Sequence, residues 1–114
     1  MNAIKLKKIE AELVRVISDI LYNEANDSLL KTITITGCEV SNDLSFAKVY
    51  FTSLTDMDHT KLVKEMDEAA GYIRGNVSNM IQLRYTPKLK FYYDDSIEYG
   101  NNIEKILNKI HEEK

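Results

Sequence analysis

Leu6, Ile9, Leu13, Val16, Ile17, Ile20 and Leu21 recur at spacings of three and four with charged residues between them. That is the period of an amphipathic helix, and it predicts one from about Ala3 to Asn23. Asn26, Asp27 and Ser28 break the pattern, since short polar side chains bond their own backbone rather than continue a helix. From Thr32 to Thr36 threonine and isoleucine alternate, a β-branched period of two that predicts a strand. At Gly37 the apolar parity changes from Ile33 and Ile35 to Cys38 and Val40, and a glycine at such a switch marks a β-bulge. The strand is expected to continue, bent, to Val40. Ser41, Asn42 and Asp43 supply a turn, after which Ala47, Val49 and Phe51 alternate with Lys48, Tyr50 and Thr52. Two strands paired as a hairpin with one buried face follow from this.

Beyond a loop from Thr55 to His59, helical period returns through Leu62, Met66, Ala69, Ala70, Ile73, Val77, Met80 and Ile81. Gly71 and Gly75 interrupt it, each costing ~1 kcal/mol relative to alanine inside a helix. A bend or break is therefore expected, with two shorter helices in place of one rod and a valine at Gly71 poorly tolerated. Pro87 ends the second piece, and Leu89, Phe91 and Tyr93 alternate with Lys88, Lys90 and Tyr92 as a third strand. Asp95 and Glu98 have capping-box spacing ahead of a short closing helix through Ile103, Ile106, Leu107 and Ile110. The expected order is α-β-β-α-α-β-α. Helices gathered on one face of three strands make a two-layer α+β sandwich, a single domain over residues 1–114.

Composition adds little to this: 44% hydrophobic and 29% charged residues are ordinary globular values and disfavour disordered or disulfide-framework classes. Cys38 is the only cysteine, most simply a small core residue in a reducing, cytoplasmic setting. No apolar run has the length of a membrane span, and no secretory leader is expected at the start of the chain. The placement of charge changes the picture more. The net charge is −3, yet Ala69 to Tyr93 holds Arg74, Arg84, Lys88 and Lys90 and no acid, while Met1 to Ile9 holds Lys5, Lys7 and Lys8 and no acid. A chain polarised in this way presents a locally positive surface whatever its total.

Catalytic parts are missing. His59 and His111 are the only histidines, and both fit solvated positions. Cys38 with two distant histidines has no metal-site spacing, and Asp94 with Asp95 points two carboxylates apart rather than together. Neither a catalytic residue, a metal ligand nor a cofactor is expected. The acid-free window instead interleaves its four cations with Tyr72, Tyr85, Tyr92 and Tyr93. Cations along a backbone and rings under unstacked bases are what single-stranded RNA binds. A module that binds protein through a sheet edge or helix face, without meaningful RNA affinity, is the alternative.

The stretch from Ile35 to Tyr50, ITGCEVSNDLSFAKVY, resembles the hairpin of the bacterial ribosome-binding factor A family. Ala69-x-Gly71-Tyr72-Ile73-Arg74, Leu83-Arg84-x-x-Pro87-x-Leu89-x-Phe91, Asp94-x-Ser96-Ile97-Glu98-Tyr99-Gly100 and Ile103 follow that family's pattern in order, so the likeness spans about Ile33 to Leu107. The resemblance implies a type II KH fold in which Ala69-Ala70-Gly71 forms a helix kink. It also implies binding to the immature small ribosomal subunit and its ribosomal RNA and assistance in late maturation, notably in the cold; a monomer is expected when the chain is free. Arg74, Arg84, Lys88 and Lys90, with Lys7 and Lys8, are the expected RNA-binding residues. Two departures stand out: Asp27-Ser28-Leu29-Leu30 replaces a common Asp-Pro-Arg-like segment, and lysines replace arginines at the N-terminus, losing the bidentate fork.

Overall fold

The computed structural model of the chain describes residues 2–24, 28–83 and 85–96. Helix α1 spans Ala3–Asp19 and runs on into a π-helical turn, Ile20–Glu24. Asn2 caps it, its side-chain oxygen accepting the Lys5 N–H at 2.8 Å. Ile20 and Leu21, in the π turn, are at 1% exposure or less and continue the apolar stripe of α1. Strand β1 is Ile33–Val40, β2 is Phe46–Ser53 and β3 is Lys88–Tyr93; helix α2, His59–Met80, joins β2 to β3. Thr32 belongs to a tight 3-10 turn, Leu30–Thr32, rather than to the strand. Its hydroxyl donates to the Leu29 carbonyl at 2.7 Å.

The sheet order is β1-β2-β3, with β1 antiparallel and β3 parallel to β2. A parallel neighbour needs a crossover, and α2 is that crossover. The expected bulge is present: the β1–β2 register shifts between Ile35 and Gly37, leaving Thr36 as the extra residue. Both helices lie on one face, covering a core of Ile35, Ala47, Val49, Phe51, Leu89 and Phe91 from the sheet with Leu13, Ile17, Leu62, Met66, Ile73 and Val77 from the helices. Phe51 meets Phe91 and Tyr93 edge to face at ring-centre distances of 6.4 and 5.6 Å. This is the α+β architecture expected.

One expectation, the break into two shorter helices, is corrected. α2 is a single helix of 22 residues, and neither Ala69, Ala70 and Gly71 nor Gly75 divides it into two. Neither glycine has a positive φ, and a Cβ built on Gly71 or Gly75 meets nothing within 4 Å. The local cost of the glycines is overridden by the burial of Leu62, Met66, Ile73 and Val77 along the opposite side, because tertiary packing outweighs propensity in most protein helices. A methyl group at Gly71 would therefore meet no steric obstacle. The closing helix through Ile103 and Ile110, with Glu98 and His111, lies outside the described residues.

Candidate nucleic-acid interface

The exposed side of α2 carries Gly71, Arg74, Gly75 and Ser78 along two turns. Arg74 reaches over the segment that leads into β3. Its Nη2 donates to the Thr86 carbonyl at 2.9 Å, and Nε is shared between the carbonyls of Thr86 and Pro87 at 3.2 and 3.3 Å. The guanidinium is thus fixed by two backbone acceptors, while Nη1 has no protein partner among the described residues. Gly71, Arg74, Gly75, Ser78, Tyr85 and Thr86 line an open cleft of about 410 Å³. A second of about 410 Å³ continues past Arg74 and Tyr85 to Asp43, Leu44 and Ser45.

The β1–β2 turn forms the far wall and is unusually well bonded. The Asp43 carboxylate accepts from the Ser41 hydroxyl at 2.8 Å, the Ser45 N–H at 3.0 Å and the Ser45 hydroxyl at 2.7 Å. The Ser45 bonds chiefly, then that from Ser41, hold the Asp43 carboxyl down at about 2. Leu44 has φ 62°, a conformation costly for a side chain with a Cβ, and is 5% exposed. Burial of its side chain offsets that strain. The Lys88 N–H donates to the Ser45 carbonyl at 3.0 Å, tying the turn to the start of β3. At the same end Glu10 of α1 accepts the Val40 N–H at 2.8 Å. Lys7 and Lys8 are exposed on α1, and neither lines the cleft.

The cations of the acid-free window do not share one surface. Arg74 belongs to the cleft. Lys88 and Lys90 alternate with buried Leu89 and Phe91, and with Tyr92 they lie on the sheet face away from the helices. There they neighbour Phe46, Lys48 and Tyr50 of β2 in matched pairs: Phe46 with Lys88, Lys48 with Lys90, Tyr50 with Tyr92. Arg84 lies outside the described residues. Nor is the window free of acids in three dimensions. Asp43 joins the Arg74 cleft, and Asp67 lines a groove of about 440 Å³ with Ala70, Lys88 and Lys90. Yet Arg74, Lys88 and Lys90 form no ion pair with these acids among the described residues, whereas Arg15 pairs with Glu12 and Asp19.

Other residues singled out in the sequence have structural uses. His59 is the first residue of α2 and its ring stacks on Tyr93 at 3.6 Å, so it is engaged rather than simply solvated. Asp94 accepts the Ser96 N–H at 3.0 Å and the Thr36 hydroxyl at 2.6 Å, interactions that lower its carboxyl pKa, the Ser96 contribution being the larger. Cys38 is half-buried; desolvation first, then Glu10 and Glu39, push its thiol up to about 12, the range of an inert thiol. No three His, Cys, Asp or Glu among the described residues are placed to hold a metal. Nor is any described helix long and apolar enough to cross a membrane. Sequence reasoning missed Ser41, Leu44, Ser45 and Thr86. Only the Ser-Asn-Asp turn signal pointed toward them.

Fold and site together define a small KH-like α+β domain with an open polar cleft. Solved structures share it. Ribosome-binding factor A from Thermus thermophilus superposes with a TM-score of 0.69 over 77% of this chain and 94% of that one at 19% identity. A Thermotoga maritima protein described as a putative ribosome binding factor A gives 0.69 over 86% and 94% at 24% identity. A homology model of the Thermus thermophilus factor, as fitted into the cryo-EM map of a 30S complex, gives 0.62 over 75% and 91% at 19% identity. The sequence model of the family Ribosome-binding factor A matches residues 5–107. Ribosome-binding factor A of Staphylococcus epidermidis is 38% identical over 112 residues, 97% of each chain, and that of Ligilactobacillus salivarius 36% over 109, covering 94% of this chain and 92% of that one. The chain belongs to the ribosome-binding factor A family.

Proposed function

We propose that this chain is a non-catalytic assembly factor, acting in the cytoplasm as a single domain and monomeric when free, that binds the immature small ribosomal subunit through its ribosomal RNA. The observation that carries the RNA reading is the pair Gly71 and Gly75, exposed on α2 beside the fixed guanidinium of Arg74. The fold does not need glycine at either position, and each lowers helix stability. What glycine provides there is room for a phosphate backbone to reach the helix and meet Arg74. Lys7 and Lys8 of α1, Arg84, and Lys88 and Lys90 on the open sheet face complete the proposed set of RNA-binding residues. The family relationship supports the subunit as partner, as does the 30S complex of the Thermus thermophilus relative.

A bound factor shifts an RNA equilibrium only through unequal affinity for the two arrangements. The chain therefore holds the unfinished arrangement and leaves as maturation completes, late in rRNA processing. Low temperature slows escape from mispaired RNA, so its role is greatest in the cold. The test is cosedimentation from cells grown warm and cold. Enrichment on immature subunits carrying unprocessed rRNA, with cold-sensitive growth when the protein is removed, is the expected result; equal loading on polysomes would overturn it. The protein-interaction alternative predicts subunit binding nearly independent of salt, whereas RNA contact predicts a steep decline.

A further inference from the structure

The sheet face turned away from the helices is not used by the cleft. Its centre is a pair of half-buried rings, Tyr50 and Tyr92, opposite each other in the β2–β3 register with centres 5.8 Å apart and planes inclined at 33°. Tyr50 is seated beside Gly37, where a Cβ would stand 3.9 Å from its ring edge. Its hydroxyl donates to Glu39 at 3.4 Å. The Lys90 Nζ lies 5.9 Å from the centre of the Tyr92 ring. One and two rows away along the strands stand Lys48 and Lys90, then Lys88, all exposed and without an ion-pair partner among the described residues. Rows on one face of a strand are about 6.6 Å apart, near the phosphate spacing of an extended single strand. Cations at that distance from a ring pair complement a base stacked on the ring with its phosphate over the lysines.

We propose that this open sheet face is a second RNA contact, separate from the Arg74 cleft, which takes two unpaired bases on Tyr50 and Tyr92 and their phosphates on Lys48, Lys88 and Lys90. The proposal rests on the RNA-binding function above and adds to it the kind of RNA recognised: a splayed single strand rather than a duplex. Asp94 follows the rings and disfavours continuation of the strand past them, while Glu39, opposite Lys48 in the β1–β2 register and bonded by the Tyr50 hydroxyl, closes the site on the β1 side, so the site is short and its phosphates lie toward Lys88 and Lys90. Two faces, one on α2 and one on the sheet, let the domain hold two RNA segments at once.

The experiment measures binding of the full chain to an unstructured RNA decamer and, in parallel, to immature small subunits. Tyr50→Leu with Tyr92→Leu is expected to weaken decamer binding at least fivefold, with the salt slope unchanged, since stacking contributes without releasing counterions. Tyr50→Phe with Tyr92→Phe keeps the rings and should bind as the parent does. Lys48→Gln with Lys90→Gln should lower the salt slope by about 0.7 for each phosphate no longer neutralised. Ultraviolet crosslinks from the decamer should map to Tyr50 or Tyr92. Parental affinity in the folded leucine variant overturns the proposal, as do crosslinks confined to Tyr85 and Arg74, or displacement of nothing but an acidic peptide from this face. If the leucine variant does not fold, the lysine variant and the crosslinks decide. A parent that binds subunits but not the decamer refutes the sheet site alone. Failure to bind either refutes the RNA function beneath it.

Discussion

Replacing Gly71 with alanine should make the protein more stable and a poorer binder. The added methyl group would meet nothing within 4 Å, and the backbone is ordinary right-handed helix with nine residues of α2 still to follow. The gain is therefore the full propensity difference at an exposed helix interior, ~1 kcal/mol, part of it arising from the unfolded chain. Gly75→Ala has the same surroundings and should add a similar amount, for about 2 kcal/mol in the double variant. For a domain of this size ~1 kcal/mol raises Tm by about 4–8 °C. On the proposed RNA contact, the methyl would occupy the space through which a phosphate reaches Arg74. Losing one charge-assisted hydrogen bond of about 1.5 kcal/mol weakens Kd roughly tenfold. Urea denaturation at constant m-value reads the first effect, and cosedimentation with immature subunits reads the second. A fall in stability would show that the backbone at Gly71 is not ordinary helix. Higher stability with unchanged binding would show that no ligand comes close to α2 there.

Three further outcomes are expected. Asp43 has a folded pKa of about 2 against an ordinary 3.8, so the stability it contributes is complete above the unfolded value and is lost as pH falls through the folded one. The Tm gap between the parent and Asp43→Asn should close between about pH 4 and pH 2, and a gap constant down to pH 2 would contradict the bonding described at the turn. Arg74→Ala should both weaken subunit binding and, by freeing the Thr86 and Pro87 carbonyls, speed hydrogen exchange in the 81–87 segment. An Arg74→Ala variant with parental exchange there would show that the guanidinium does not anchor the loop. Cys38, with its thiol raised to about 12, should react with iodoacetamide at pH 8 far more slowly in the native protein than in urea; equal rates would refute its burial.

Local signals were legible in the chain and long-range ones were not. The β-bulge was written in the parity change from Ile33 and Ile35 to Cys38 and Val40, because a sheet with one buried face registers every slip by one residue. Strand alternation likewise placed Lys88, Lys90 and Tyr92 on one side and Leu89 and Phe91 on the other. The continuity of α2 was not legible, since the cost of Gly71 and Gly75 is local while the burial that overrides it comes from the sheet. The cation patch was legible only in part. Asp43 enters the Arg74 cleft because the β1–β2 turn folds against the start of β3, a contact that spans more than forty residues. The carbonyls that hold Arg74 belong to Thr86 and Pro87, and no side-chain pattern announces a backbone acceptor.

The bond from the Val40 N–H to Glu10 bears on self-association as well as on the fold. A three-stranded sheet ends in two open rows of amides, each a template for a strand from another molecule. On β1 a carboxylate from α1 occupies one of those amides and sets a negative charge at the strand's end, where an incoming strand would have to displace it. On β3 the outer row is flanked by Lys88 and Lys90, whose like charges repel a second copy brought edge to edge. The two exposed borders of the sheet are thus guarded by opposite signs, one fixed by a hydrogen bond and one by solvated lysines. A strand added at β1 would have to break the Glu10 bond, and one added at β3 would lie beside the two lysines.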